Sequence, residues 1–142
     1  MASPKSTVME ARFFDLNDHP PLDGPSTKEV LFGGDGYHMW VHVDEPGKKG
    51  PMHKHTADEL FYCVQGQCTF HFPNGASGVL DPGMVVIIPA GQPYQLDNTG
   101  TRRMVLLGSR AESDGKARHT EDNSVIETVD GRYMVDGRIM PL

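Results

Sequence analysis

A short segment between Gly47 and Gly66 carries side chains that can bind a metal ion. His53 and His55 are separated by one residue, and Glu59 follows four positions after His55. Imidazole nitrogen and carboxylate oxygen are ligands for divalent first-row metals, and two histidines with one carboxylate leave coordination positions open. On a strand, residues i and i+2 share a face about 6.6 Å apart, so both histidines can reach one ion.

Glu59 can join the two histidines only if the chain turns between them. On a straight strand its side chain would lie about 13 Å beyond His55, too far for a shared ion. We therefore expect a turn over residues 56–58 that brings Glu59 back beside the histidines.

Two motifs within residues 47–98 resemble those of the cupin superfamily. The first motif reads Gly47-x5-His53-x-His55-x3-Glu59-x6-Gly66, and the second reads Gly83-x5-Pro89-x-Gly91-x2-Tyr94-x3-Asn98. The first motif matches the cupin pattern at every fixed position. The second departs from it at one position, because cupins usually carry a third metal-binding histidine where this chain has Tyr94.

The resemblance implies a single all-β domain over residues 1–142, folded as the cupin double-stranded β-helix, a jelly-roll barrel. It also implies a divalent transition metal inside the barrel, held by His53, His55 and Glu59. Fe(II) is the expected ion, and Mn, Co, Ni and Zn suit the same ligand types. Homodimers are common in the superfamily, so a homodimer is expected here.

Tyr94 has three candidate roles beside such an ion. A nearby divalent cation favours the phenolate form, so Tyr94 can be a fourth ligand. It can also be a general acid or base at an open metal position, provided that it reaches the proton it transfers. The third role is a hydrogen-bonding wall of the pocket.

Composition favours an all-β fold on separate grounds and excludes several partners. Sixteen glycines and eleven prolines punctuate short apolar runs, as in sandwiches and barrels. The net charge of −6 and the lack of a basic stripe argue against nucleic acid and anionic membranes. The longest apolar run, residues 84–88, is too short to span a bilayer. The expected partner is a small-molecule substrate.

The first residues and the two cysteines predict a cytoplasmic protein. The N-terminus lacks the apolar core of a signal peptide. Cys63 and Cys68 lie within predicted strands, and we expect reduced thiols in or near the core.

Hydrophobic patterning and turn residues divide the chain into an N-terminal arm (1–27), a barrel core (28–108) and a C-terminal part (109–142). The C-terminal part is expected to begin with a flexible polar loop over 109–124. Strands are predicted at 28–32, 37–43, 59–64, 67–72, 84–88, 101–107, 125–129, 132–135 and 138–140. The run at 84–88 is apolar on both faces, which predicts a strand covered on both sides.

Strand periodicity selects three candidate residues for a substrate pocket. Phe61 shares a face with Glu59, and Leu96 shares a face with Tyr94. Trp40 shares its face with two histidines, where it lines a ligand pocket. The alternative is that one face of the strand is exposed to solvent and Trp40 covers an edge or a subunit contact.

The ligand set and the resemblance leave three functions open. A non-haem Fe(II) dioxygenase comes first, because three protein ligands leave room for both a chelating organic substrate and O2. The first alternative is a non-redox lyase, isomerase or cyclase with the metal as Lewis acid and Tyr94 as acid or base. Tyr94 and Glu59 are the candidate catalytic residues. The second alternative is a non-catalytic cupin that binds a small ligand.

Overall fold

The computed structural model describes residues 11–34, 37–111, 117–118, 125–129, 132–135 and 138–139, and beyond residue 111 the backbone pairing alone is described. The strands are β1 Ser26–Gly34, β2 Tyr37–Asp44, β3 Glu59–Gln65, β4 Cys68–His71, β5 Ser77–Leu80, β6 Val85–Ile88, β7 Gln95–Asp97, β8 Met104–Arg110, β9 Ala117–Arg118, β10 Val125–Val129, β11 Arg132–Val135 and β12 Arg138–Ile139. One short 3-10 helix, Pro73–Gly75, follows β4.

Two antiparallel sheets form the barrel. A five-stranded sheet has the order β1-β2-β8-β3-β6, and a three-stranded sheet has the order β5-β4-β7. The neighbours β2, β8 and β3 are far apart in sequence, as expected of a jelly roll. A further sheet, β12-β11-β10-β9, is built from the C-terminal strands. The predicted all-β double-stranded β-helix is therefore confirmed.

The main core lies between the two barrel sheets. The five-stranded sheet contributes Phe61 and Leu106, and the three-stranded sheet contributes Cys68 and Phe70. The rings of Phe61 and Phe70 meet across the core with their centroids 5.5 Å apart. Aromatic burial of this kind supplies a large part of the hydrophobic stabilisation of a small barrel.

The outer face of the five-stranded sheet is covered by the N-terminal arm. Val41 and Val43 of β2 point away from the main core and form a second cluster with Val105. Leu16 and Leu22 of the arm pack against this cluster. The alternation along β2 therefore separates an inner face from an arm-covered face, as its sequence predicts.

The prediction that the 84–88 strand is covered on both sides is wrong. β6 is an edge strand of the five-stranded sheet, and its outward side chains Val85 and Ile87 are 50% and 59% exposed. Ile88 faces the core and is buried. An apolar sequence cannot distinguish a central strand from an edge strand whose outer face carries no covering segment.

Several strands differ from the sequence-based expectations. β5 was not predicted, since its sequence holds only two apolar residues. β8 begins at Met104 and runs to Arg110, so the barrel continues past residue 108. Ala117–Arg118 pairs with β10 and is a strand within the segment predicted to be a flexible loop. Within the described residues, no helix is long and apolar enough to cross a membrane.

Candidate functional site

Two cross-strand pairs form the candidate site. Glu59 at the start of β3 lies opposite Arg110 at the end of β8. His53 lies opposite Tyr94, and the two residues exchange backbone hydrogen bonds of 2.9 and 2.8 Å. All four side chains are buried. Side chains of directly opposed residues share one face, so each pair presents both members to the barrel interior.

The predicted turn between His55 and Glu59 is present. The Ala90 amide donates to Oδ1 of Asp58 at 2.9 Å, and the Gly91 amide donates to the carbonyl of His55 at 2.8 Å. These hydrogen bonds fix the turn to the loop that precedes β7. Glu59 therefore returns to the histidines, which a straight strand would not allow.

Both carboxylate oxygens of Glu59 accept hydrogen bonds from protein donors. The Tyr94 hydroxyl donates to Oε1, and Nη1 of Arg110 donates to Oε2 at 2.7 Å. Burial raises the pKa of Glu59, while the Tyr94 and Arg110 donors oppose that rise. Glu59 is thus a carboxylate that accepts a proton more readily than one in water.

His55 completes the cluster around Arg110. Its Nε2 lies 3.3 Å from Nη1 of Arg110 and 3.8 Å from Oε2 of Glu59. The same guanidinium nitrogen therefore contacts both His55 and Glu59.

His53 is held in one orientation by the backbone. Its Nδ1 lies 2.9 Å from the carbonyl oxygen of Pro51, which can only accept, so Nδ1 carries the proton. Burial lowers the pKa of His53 to about 4, so the ring is neutral at pH 7 and its Nε2 holds the lone pair. The ring centroid lies 4.5 Å from that of Tyr94 and 5.1 Å from that of His55.

The side chains of this cluster are of the types that bind a divalent cation, but in this structure they bind one another. A histidine that donates Nδ1–H to a carbonyl, as His53 does, is typical of metal ligands. Glu59, however, already pairs with Arg110 and Tyr94. Among the described residues, no group of three His, Cys, Asp or Glu side chains has the arrangement to hold a metal ion.

The rings of Trp40 and Phe61 form an aromatic floor of the site. They lie on the same face as Glu59 and Arg110, two residues further along the strands. Phe61, Gly108 and Trp40 are neighbours across β3, β8 and β2. The rings of Trp40 and Phe61 meet edge to face at 5.7 Å, and Phe61 lies 5.9 Å from Tyr94. Trp40 is buried, on a strand that pairs with β1 and β8 on its two sides.

Of the predicted pocket residues, Phe61 and Trp40 lie beside the site, whereas Leu96 lies further along the core. Leu96 is half-buried and packs against the main core cluster next to Phe70. The substrate contacts of all three residues remain predictions.

Sequence reasoning missed two cations at the site. Arg110 was assigned to a polar loop, but it continues the inward parity of Met104, Leu106 and Gly108. The cationic groups of Arg110 and Lys28 lie 4.8 and 4.6 Å from the centroid of the Trp40 ring. The parity of β8 is the signal that could have identified Arg110.

Lys28 carries a desolvated ammonium group on a residue that is exposed as a whole. Its Nζ lies against the buried Trp40 ring. Desolvation of the ammonium and repulsion by Arg110 lower the pKa of Lys28 to about 8. The site therefore gathers two basic groups around one carboxylate.

About half of the chain matches the model of a known protein family. Residues 40–108 match the family model described as a cupin domain. This match supports the cupin superfamily membership that the two motifs predicted. The assignment of Tyr94 to the position of a family histidine remains a prediction.

Solved structures with the same fold come from several bacteria. An uncharacterised protein with a double-stranded β-helix domain from Klebsiella pneumoniae superposes with a TM-score of 0.68 and 20% identity, covering 84% of this chain and 100% of that protein. The DMSP lyase DddQ from Ruegeria pomeroyi superposes with a TM-score of 0.58 and 23% identity, covering 64% of this chain and 49% of the lyase. Identities this low establish a common fold alone.

One sequence relative is the auxin-binding protein T92 from Nicotiana tabacum. It is 29% identical over 80 aligned residues, and the match covers 50% of this chain and 43% of that protein. This chain therefore matches less than half the length of that relative.

Proposed function

We propose that this protein is a cupin enzyme that transfers a proton on a small organic molecule, as a lyase, isomerase or cyclase does. The observation that carries the proposal is the buried hydrogen bond from the Tyr94 hydroxyl to Glu59. A hydroxyl whose proton is directed at a carboxylate of raised pKa is well placed to act as an acid or base.

The residues support a two-proton relay. Oη of Tyr94 accepts the proton of a carbon–hydrogen bond next to a carbonyl group, while its own proton passes to Oε1 of Glu59. The electron pair of the broken bond moves toward the carbonyl oxygen of the substrate. From that state a β-substituent leaves, the proton returns to another carbon, or the carbon closes a ring.

The surrounding groups orient this relay. Arg110 binds Oε2 of Glu59 and leaves Oε1 directed at Tyr94. The backbone pairing of His53 with Tyr94 fixes the phenol against the imidazole. The Trp40 and Phe61 rings keep water from the floor of the site, which strengthens the electrostatic interactions above them.

With Arg110 withdrawn from Glu59, His53, His55 and Glu59 are the residues that would hold a divalent cation, which would supply Lewis acidity at the substrate oxygen. Tyr94 is the candidate fourth ligand. The identity of the ion, with Fe(II) as the first expectation, remains a prediction, as do a homodimer and a cytoplasmic location.

Hydrogen–deuterium exchange tests the proposal without knowledge of the product. The protein is incubated in D2O with a panel of 2-oxo acids, 3-oxo acids and 3-hydroxy acids, and carbon-bound deuterium is followed by NMR. We expect exchange in at least one panel member, and we expect Tyr94→Phe to reduce its rate by roughly 100-fold or more. Tyr62→Phe, on the outer face of β3, is the matched control and should exchange like the wild type.

Two results would contradict proton transfer. One is an exchange rate of Tyr94→Phe equal to that of the wild type. The other is oxygen consumption with a panel compound that Tyr94→Phe leaves intact, which would favour the Fe(II) dioxygenase.

A non-catalytic role as a small-ligand-binding protein is the second candidate. It is favoured by the similarity to an auxin-binding protein. Calorimetric titration with indole-3-acetate, an auxin, tests it. Saturable binding that perturbs Trp40 fluorescence, without turnover of any panel compound, would support binding over catalysis.

A further inference from the structure

Arg110 contacts two of the atoms that would bind a metal ion. Its Nη1 is 2.7 Å from Oε2 of Glu59 and 3.3 Å from Nε2 of His55, and those two acceptors are 3.8 Å apart. Metal–ligand bonds to imidazole nitrogen and carboxylate oxygen measure about 2.1 Å. From these distances, a cation bonded to both acceptors would lie no more than about 3 Å from Nη1.

The guanidinium cannot relieve this repulsion by losing its charge. Arginine stays protonated throughout the pH range in which proteins are folded. In a buried site the repulsion between two neighbouring cations is much stronger than in water. Glu59 is a carboxylate that contacts this guanidinium, so a metal ion bound to Glu59 would have to share its charge with Arg110.

Other contacts hold Arg110 in this position. Its Cζ lies 4.8 Å from the centroid of the buried Trp40 ring, and its backbone pairs with Glu59 across β3 and β8. Guanidinium stacked on an aromatic face and bonded to a carboxylate is a stabilising arrangement for a buried arginine. Arg110 is therefore held in the site by both its side chain and its backbone.

We propose that Arg110 is the resident cation of this barrel, and that its contacts with Glu59 and His55 and the binding of a divalent metal ion exclude each other. Arg110 then determines the metal affinity of the site. A metal ion binds only after the guanidinium moves away, so the affinity of the wild type is reduced by the stability of these contacts. An anionic ligand that draws Arg110 away from Glu59 would correspondingly strengthen metal binding.

Calorimetric titration with Ni²⁺ alone, on protein stripped of metal, tests this proposal. We expect Arg110→Gln to bind Ni²⁺ at least tenfold more tightly than the wild type. Arg102→Gln removes the same charge from an exposed position and should bind like the wild type. Adding His55→Ala to Arg110→Gln should abolish the gain, which locates it at this site.

The arginine side-chain NMR signals of the wild type provide a measurement that does not depend on the folding of a variant. In metal-free protein the hydrogen-bonded Nη protons of Arg110 should exchange slowly with water, and saturating Zn²⁺ should release them. The proposal is overturned if Arg110→Gln binds no more tightly than the wild type, including no binding by either. It is also overturned if the gain survives His55→Ala, or if metal saturates the wild type while the Arg110 signals persist. These measurements involve no substrate, so their result does not depend on the proton-transfer function.

Discussion

Glu59 is the residue on which the polar groups of the site converge. One of its oxygens accepts a hydrogen bond from the Tyr94 phenol and the other accepts one from the Arg110 guanidinium. Both donor side chains are buried. A buried carboxylate with hydrogen bonds on both oxygens has a single orientation, because any rotation would break a charge-assisted bond. That fixed orientation distinguishes Oε1, directed at Tyr94, from Oε2, directed at Arg110.

The pKa of Lys28 should depend on Arg110. Desolvation and the repulsion of Arg110 lower it to about 8, and Arg110→Gln removes the repulsion while leaving the desolvation. We expect the midpoint of the Lys28 titration, followed by NMR of its side chain, near 8 in the wild type and higher in Arg110→Gln. Arg102→Gln should leave the midpoint unchanged, and an unshifted midpoint in Arg110→Gln would rule out the coupling.

The lowered pKa of Lys28 also has a defined effect on stability. Between pH 8 and the unfolded value of 10.5, the unfolded chain holds a proton that the native protein has released. The contribution of this group to the free energy of unfolding therefore rises as the pH increases through that window.

At the level of strands, the site depends on a size match between neighbouring residues of β2 and β8. Trp40 fits against β8 only because Gly108 lacks a side chain: a Cβ at Gly108 would lie 2.3 Å from Cε2 of Trp40. The large ring on β2 and the empty position on β8 are thus complementary. Arg110, two residues further along β8, then reaches over the same ring.

Gly108→Ala should displace Trp40. Overpacking of this kind costs about 1–3 kcal/mol, so the free energy of unfolding in urea should fall by that amount. Trp40 is the sole tryptophan of the chain, so its displacement should also shift the fluorescence emission. Gly78→Ala on β5, where a Cβ would contact nothing within 4 Å, should be neutral or slightly stabilising. Equal stabilities of the two variants would contradict this account of the Trp40 packing.

The sequence predicted the histidine–glutamate half of the site and missed the cationic half for one physical reason. His53, His55 and Glu59 lie close together in sequence, so spacing and a required turn were enough to place them. Arg110 reaches Glu59 through the pairing of β3 with β8, which no local pattern encodes. Its neighbours Gly108 and Ser109 ended the apolar run and suggested a loop.

The fold was predicted more completely than its edges. Strong turn residues and β-branched runs located most barrel strands to within a few residues. The exposure of β6 was not predicted, because burial depends on what packs against a strand and not on its own composition. The start of β8 moved from residue 101 to Met104, because the side-chain amide of Asn98 binds the carbonyl of Arg102 and holds the preceding residues in a turn.

On the scale of the whole molecule, the two cysteines report on the opening of the barrel. Cys63 and Cys68 are free thiols with no exposed surface, and burial raises the pKa of Cys68 to about 12. Both thiols should therefore react with a thiol reagent only when the barrel unfolds.

Labelling with DTNB checks this expectation. The native protein should react slowly, two thiols should react in denaturant, and the native rate should increase with urea in step with the unfolded fraction. Fast labelling of the native protein would mean that the core opens locally. Fewer than two reactive thiols after unfolding would mean that the cysteines are oxidised.

The opposition of Glu59 to Arg110, and of His53 to Tyr94, makes this site intolerant of insertions and deletions within its strands. Since alternate side chains of a strand point to opposite faces, one added or lost residue in β8 upstream of Arg110 would turn the guanidinium outward. Length variation among natural homologues should therefore be confined to the connecting loops. Homologues can change the chemistry of the site, by contrast, through substitutions at these four positions without any change in strand length.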